Sequence, residues 1–330
     1  MSATSKLSVY RDDTDRWRLI EGDALSLLAK LPDNSIDASV TDPPYGIDIG
    51  GEAWDRFGGG GGLAAPEAFE RWTARWAAEA RRVLKPGAHA AIFGAPRTFH
   101  RLVAGVEDSG LQVRDQILWI YGTGVPKSRR MPEGQGTLLK PAYEPILLAR
   151  KPLEGSTIDN LRVFGTGALN IDATRIGERG YWPAHLTLSH AQDCRDNSCA
   201  TGCPVRLLDQ EQENLSRLFF CAKATRAERE AGCEQLPARQ VQLYTGSGRP
   251  ARVRRNTHLT VKPINLMQWL VQLVTPVGGT VLDPFAGSGS TGAAAVLEGR
   301  RFLGIEREPE YVDIACARLT HWAHEARESS

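Results

Sequence analysis

Residues 281–292 read Val281-Leu282-Asp283-Pro284-Phe285-Ala286-Gly287-Ser288-Gly289-Ser290-Thr291-Gly292: a short apolar run, a tight turn and a helix start. Gly287, Gly289 and Gly292 fit G-x-G-x-x-G, and Glu306 follows Asp283 by twenty-three residues, at the end of the next apolar run. Such a segment offers a nucleoside cofactor three contacts. Glycines admit close backbone approach, a helix N-terminus attracts an anionic group, and an acid accepts bonds from ribose hydroxyls. A dinucleotide fold reaches its first glycine straight from the strand, whereas Asp283-Pro284-Phe285 intervenes here. The acid suits a cationic sulfonium or amine better than a pyrophosphate.

Working outward, the spacing predicts a helix over 266–274, strands over 280–282 and 302–305, and helices over 291–298 and 311–321. Near the other end of the chain, 17–20 and 36–41 read as strands around a short helix at 24–31. Phe69, Trp72, Trp76, Ala80 and Val83 recur at helical spacing after Pro66, until Lys85-Pro86-Gly87 stops the helix. Further strands are predicted over 88–93, 116–121 and 144–149, and the glycine run 58–62 reads as a mobile loop able to cover a ligand. From about Pro152 to Thr257 the pieces are short and polar, without a sustained period. Two α/β blocks flanking an irregular middle predict one mostly parallel, doubly wound sheet shared by both. The expected division is 1–151, an inserted region 152–257, and 258–330.

Composition narrows the function. Forty Lys+Arg against thirty-nine Asp+Glu give a formal charge of +1 over 330 residues, which excludes a uniformly basic coat and an acidic disordered tail. No apolar run approaches the ~18 residues of a membrane span, so no membrane partner is expected. The N-terminus lacks the apolar stretch of a signal peptide, which points to the cytoplasm and to reduced cysteines.

The strand at 36–41 ends in Asp42-Pro43-Pro44-Tyr45. Two prolines fix the backbone and remove two donors, leaving carbonyl acceptors beside a carboxylate and an aromatic ring. An exocyclic amine of a base can donate one hydrogen to Asp42 and one to the Pro43 carbonyl while Tyr45 stacks on the ring. That grip pulls the nitrogen towards tetrahedral geometry and aims its lone pair at an electrophile.

Together the two turns strongly resemble motifs IV and I of the S-adenosylmethionine-dependent DNA amino-methyltransferases. Their order, with the catalytic motif first, is similar to the permuted beta class. Glu21-Gly22-Asp23 and His258-Leu259-Thr260-Val261-Lys262-Pro263 match further elements of that family, although Leu259 stands where proline is usual. The resemblance covers about residues 17–151 and 256–320. It implies a permuted Rossmann-like methyltransferase with an inserted target-recognition region, acting on DNA. By position, Asp42, Pro43, Pro44 and Tyr45 would hold the target base. Asp23, His258, Lys262, Asp283, Pro284, Phe285, Gly287, Ser288, Gly289 and Glu306 would hold S-adenosylmethionine. In the family an acidic first residue of the tetrapeptide goes mostly with N6-adenine and serine mostly with N4-cytosine, so Asp42 points to adenine. The competing readings are an N4-cytosine methyltransferase and a nicotinamide-dependent oxidoreductase. The latter leaves residues 42–45 unexplained and lacks a hydride partner.

Two further features are not explained by these motifs. His190, Cys194, Cys199 and Cys203 place four nitrogen and sulfur donors within fourteen residues, a set that suits a structural zinc with no open position for catalysis; His185 or Cys221 could replace one ligand, and the other reading is three ordinary reduced thiols beside a surface histidine. No acid occurs between Glu234 and Asp283, while Arg239, Arg249, Arg252, Arg254, Arg255 and Lys262 do. Lys127, Arg129 and Arg130 form a smaller patch, and both are candidate phosphate contacts. Oligomeric state is not legible, with a homodimer the assembly to test.

Overall fold

The computed structural model describes residues 8–57, 65–121, 135–176, 180–188, 199–200, 203, 206, 219–221, 223–241 and 252–328. Along the chain the strands are β1 (Val9–Arg11), β2 (Trp17–Glu21), β3 (Ile36–Thr41), β4 (Leu84–Phe93), β5 (Gln112–Ile120), β6 (Tyr143–Arg150), β7 (Leu186–Leu188), β8 (Phe219–Phe220), β9 (Arg239–Val241), β10 (Arg252–Arg254), β11 (Thr280–Asp283) and β12 (Arg301–Glu306). The helices are α1 (Ala24–Leu28), α2 (Pro66–Val83), α3 (Phe99–Asp108), α4 (Thr157–Phe164), α5 (Arg226–Glu230), α6 (Ile264–Val274), α7 (Ser290–Leu297) and α8 (Pro309–Glu328).

Among the described residues ten strands form one sheet, ordered β1-β2-β12-β11-β3-β4-β6-β5-β7-β8. Pairing is parallel from β2 through β4, and β6 runs antiparallel to both β4 and β5. The two ends of the chain are thus interleaved, with β12 and β11 inserted between β2 and β3. Connections from β11 to β12 and from β3 to β4 leave in opposite directions, so the crevice of a doubly wound sheet opens beyond the carboxyl ends of β3 and β11.

Burial explains why these strands are central. All six residues of β3 are buried, as expected for a parallel strand covered on both faces. Val40 and Val281 join a core under α6, α7 and α8, whereas Ile36 and Leu282 join one under α1, α2 and α3. α2 turns Phe69, Trp76, Ala77, Ala80 and Val83 inward and passes directly into β4. Pro86 lies in that strand next to a register shift against β3, where a missing N–H is tolerated.

The sequence pattern missed α3 and α4. α4 is short and its exposure is inverted: Ile158, Leu161 and Val163 are 62%, 40% and 71% exposed while Asn160 is fully buried. Asn160 donates to the carbonyls of Pro86 (2.8 Å) and Thr166 (2.7 Å), which pins this segment onto β4. Further along, Asn170 Nδ2 donates to the Gln272 (2.8 Å) and Thr275 (2.7 Å) carbonyls at the end of α6. Within 152–257, therefore, several pieces are anchored to the α/β layers, and β7 and β8 extend the sheet itself.

Candidate active site

The glycine-rich turn owes its shape to a buried acid. Asp283 closes β11 and accepts from Thr41 Oγ1 (2.7 Å), Thr291 Oγ1 (2.6 Å) and the Phe285 amide (3.1 Å). It thereby ties β3, β11 and the start of α7 together, and burial pushes its carboxyl up to about 6. Behind the turn the fully buried Arg318 donates through Nη1 to the Ser288 carbonyl (2.6 Å) and to the Ser288 and Ser290 hydroxyls (3.1 Å each). Gly287 has φ +52°, and a Cβ there would sit 2.7 Å from His258 Nε2. Gly292 serves packing instead, since a Cβ there would lie 2.5 Å from Leu319 and 2.6 Å from Phe302.

Glu306 ends β12 with its carboxylate held by backbone. Oε2 accepts from the Gly287 amide (2.7 Å), and Oε1 from the Arg307 and Glu308 amides (2.8 Å each). Burial raises its pKa against those three bonds. Three of about four acceptor positions are used, so one remains for a ligand hydroxyl.

A cleft of about 310 Å³ opens at the switch point, within the rough 300–1,000 Å³ range of ligand pockets. Asp23, Asp42, Pro43, Pro44, Tyr45, His258, Phe285, Gly287 and Glu306, all expected from sequence, line it together. Lys262, Asp283, Pro284, Ser288 and Gly289 stand outside its lining. Asp23 also caps α1, accepting from the Ser26 amide at 2.9 Å. Trp72 and Phe285 form an aromatic wall, with ring centroids 5.4 Å apart. His258 is edge-on to Tyr311 at 4.6 Å, and its Nδ1 is buried without a hydrogen-bond partner. Burial first, then Lys262, Arg229 and Arg318, pull this imidazole down to about 3, so it is neutral at physiological pH.

Two acids that sequence reading did not single out complete the site. Asp55 is fully buried and accepts from the amides of Gly46 (2.7 Å), Ile47 (3.1 Å) and Ile49 (2.8 Å), locking the exit of the 42–45 turn. Glu144, at the start of β6, faces Asp42 across Lys262. The Lys262 ammonium donates to Asp42 Oδ2 and lies 3.4 Å from Glu144 Oε2. Tyr45 Oη donates to Asp42 Oδ1 (2.6 Å) and faces the same Glu144 oxygen at 3.1 Å. Burial raises Asp42 despite Lys262, whereas Glu144, which burial would also raise, is held low by Lys262 and Lys223. Burial opposes the Lys262 charge, but the two carboxylates outweigh it and raise its pKa. Only the position of Glu144 in a predicted strand marked it beforehand.

Lys262 therefore leaves the basic stretch for the interior, where it is 5% exposed. Arg239, Arg252 and Arg254 lie on the β9–β10 hairpin, docked beside the cleft by the Arg239–Glu310 pair at 2.7 Å. Arg255 is spent on the Leu236 carbonyl. Arg249, Lys127, Arg129, Arg130 and the glycine run 58–62 lie outside the described residues. Of the proposed zinc ligands, His190 and Cys194 also lie outside them, while Cys203 is buried and Cys199 half-buried.

A methyl donor with a sulfonium centre fits this cleft. The glycine cradle that a Cβ would fill, the acids Asp23, Asp42, Glu306 and Glu308, and the aromatic wall suit a cationic nucleoside. Among the described residues no helix is long and apolar enough to cross a membrane.

Known proteins agree with this reading. The chain is 26% identical to the type II methyltransferase M.HindIII of Haemophilus influenzae, over 91% of this chain and 94% of that one. It is 22% identical to M.HinfI, also from Haemophilus influenzae, over 91% and 67% respectively. Its fold resembles the cytosine-N4-specific PvuII DNA methyltransferase (TM-score 0.58, 16% identity, 95% and 93% coverage). It also resembles a DNA modification methylase of Thermus thermophilus complexed with S-adenosylmethionine (TM-score 0.50, 21% identity, 92% and 94% coverage). The family profile N6_N4_Mtase, described as DNA methylase, matches residues 36–317. That match removes the oxidoreductase reading: the chain belongs to the DNA methylase family and is an S-adenosylmethionine-dependent DNA methyltransferase.

Proposed function

We propose that the enzyme methylates the exocyclic N6 of adenine at a specific site in duplex DNA, with Asp42, Pro43, Pro44 and Tyr45 gripping the base. The observation that carries this is the side-by-side placement of the 42–45 turn and the Gly287–Glu306 cradle on one cleft, with an acid opening the tetrapeptide. Asp42 accepts one amine hydrogen and the Pro43 carbonyl the other, so the nitrogen lone pair points at the methyl group. S-Adenosylmethionine supplies that methyl on a cationic sulfur. Glu306 would offer its remaining acceptor position to the ribose, Asp23 would serve the adenine of the cofactor, and Gly287 would let the backbone approach the methionine part. Neutral His258 and the Trp72–Phe285 wall shape the cleft without adding charge. Asp283, Pro284, Ser288 and Gly289 act by holding the turn, and Lys262 acts at Asp42.

The β9–β10 arginines, with the region 152–257 around them, would meet DNA phosphates and read sequence. Cytoplasmic residence and a homodimer complete the reading; light scattering of the purified protein tests the latter. The decisive experiment incubates unmethylated duplex DNA with methyl-labelled S-adenosylmethionine and identifies the labelled nucleoside by mass. N6-methyladenine is expected, and N4-methylcytosine would overturn the adenine assignment.

A further inference from the structure

Each oxygen of Asp42 already accepts one hydrogen bond, from the Lys262 ammonium and from the Tyr45 hydroxyl, so an amine that donates to Asp42 competes with two bonds already made to the same carboxylate. A buried ammonium released without a partner would be strongly disfavoured. Both present partners of Asp42, however, already face a second acceptor. Glu144 Oε2 is 3.4 Å from Lys262 Nζ and 3.1 Å from Tyr45 Oη. Glu144 is itself steadied through Oε1 by the Tyr121 hydroxyl at 3.2 Å.

We propose that Glu144 is a positioning residue for methyl transfer, taking Lys262 and Tyr45 from Asp42 when the target amine arrives. The exchange lets the base enter without stranding a buried donor. It also sets the charge of the site. Glu144 places a second carboxylate against the Lys262 ammonium, with Lys223 a further cation facing it. Transfer forms an N–C bond, leaves the C–S electron pair on sulfur, and places positive charge on the amine nitrogen until it sheds one proton to water. Carboxylates fixed beside that nitrogen stabilise this change. With Lys262 and Asp42 alone, neither hydrogen-bond partner of Asp42 would face this second carboxylate.

The inference rests on Asp42 being the acceptor of the amine. The charged and titratable groups facing the cluster are Tyr45 after β3, Tyr121 and Lys223 beside β6, Lys262 before α6, and Asp283 at the end of β11. The test compares E144Q, E144D, K262M, the double variant E144Q/K262M and D42N. Single-turnover transfer to kilobase-long unmethylated duplex is followed from pH 5 to 9, and cofactor affinity is measured by calorimetry. E144Q is expected to be slower by roughly tenfold or more, with an unchanged cofactor dissociation constant. Its acidic limb should move to lower pH, because Asp42 then has the ammonium to itself and ionises more readily. K262M should move the limb to higher pH, since Asp42 keeps only a neighbouring carboxylate. E144D retains the charge at shorter reach and should fall between wild type and E144Q. Removing Lys262 from E144Q should recover part of the rate, which a merely structural role for Glu144 would not allow. A wild-type rate in E144Q, an unmoved limb, or a double variant no faster than E144Q overturns the proposal. A D42N enzyme that transfers at the wild-type rate would instead remove the underlying assignment of Asp42.

Discussion

Replacing Gly287 by alanine separates the cofactor cradle from ordinary packing. At φ +52° any Cβ is strained, and here it would lie 2.7 Å from His258 Nε2, closer than real Cβ atoms come. The left-handed conformation costs a non-glycine residue about 1–2 kcal/mol. Without cofactor the turn can relax by shifting its backbone or displacing His258. Binding has to restore the cradle, so the relaxed energy reappears as lost affinity. That amounts to a roughly 5- to 30-fold weaker dissociation constant for S-adenosylmethionine. Gly292→Ala is the control. Its Cβ would meet Leu319 and Phe302 at 2.5 and 2.6 Å, behind the helix, so overpacking of about 1–3 kcal/mol should lower the melting temperature instead. Adding His258→Ala to Gly287→Ala removes the side-chain contact and should recover part of the affinity, while the backbone strain persists. Calorimetry at 25 °C and thermal melts read both quantities. A Gly287→Ala protein that binds within twofold of wild type would refute the reasoning, as would an equal affinity loss in Gly292→Ala.

Three other outcomes are expected. His258 stays neutral in the folded protein down to about pH 3, while the unfolded chain takes up that proton near 6.5. The unfolded state then binds more protons, so this residue's contribution to stability falls as pH drops from about 6.5 towards 3. Denaturant titrations at pH 7 and 5 should show a smaller difference for His258→Gln than for wild type; equal differences would argue against the buried neutral ring. Arg252→Ala and Arg254→Ala should each reduce the slope of log affinity for DNA against log salt by about one; unchanged slopes would take the β9–β10 hairpin out of the DNA interface. Elemental analysis of protein prepared without chelator should find about one zinc per chain if His190, Cys194, Cys199 and Cys203 bind it; under a tenth of an equivalent ends that expectation.

Much of this molecule was legible before its fold. The two Asp-Pro turns, the helix of Phe69, Trp72 and Trp76, and the apolar runs that became β3, β11 and β12 are local patterns, and local patterns survive in one dimension. The α4 helix was not legible, because its apolar residues face outward and its one buried side chain is Asn160, held by carbonyls from β4 and beyond. Lys262 misled for a related reason. Counted along the chain it belongs with the arginines of 239–255, and only folding carries it 220 positions away to Asp42.

Residue chemistry at short range narrowed what the site can hold to an amine and a cationic nucleoside, and the resemblance of the two turns to a known family named the reaction. Partnership was a different matter. Asp283 reads as a cofactor ligand, and folding also sets it between Thr41 and Thr291; Glu144 reads as one polar residue opening a strand but stands against Asp42 and Lys262. The charge and hydrogen-bonding state of each acid depend on burial and on neighbours hundreds of positions apart, and those distances exist only once the interleaved sheet has closed.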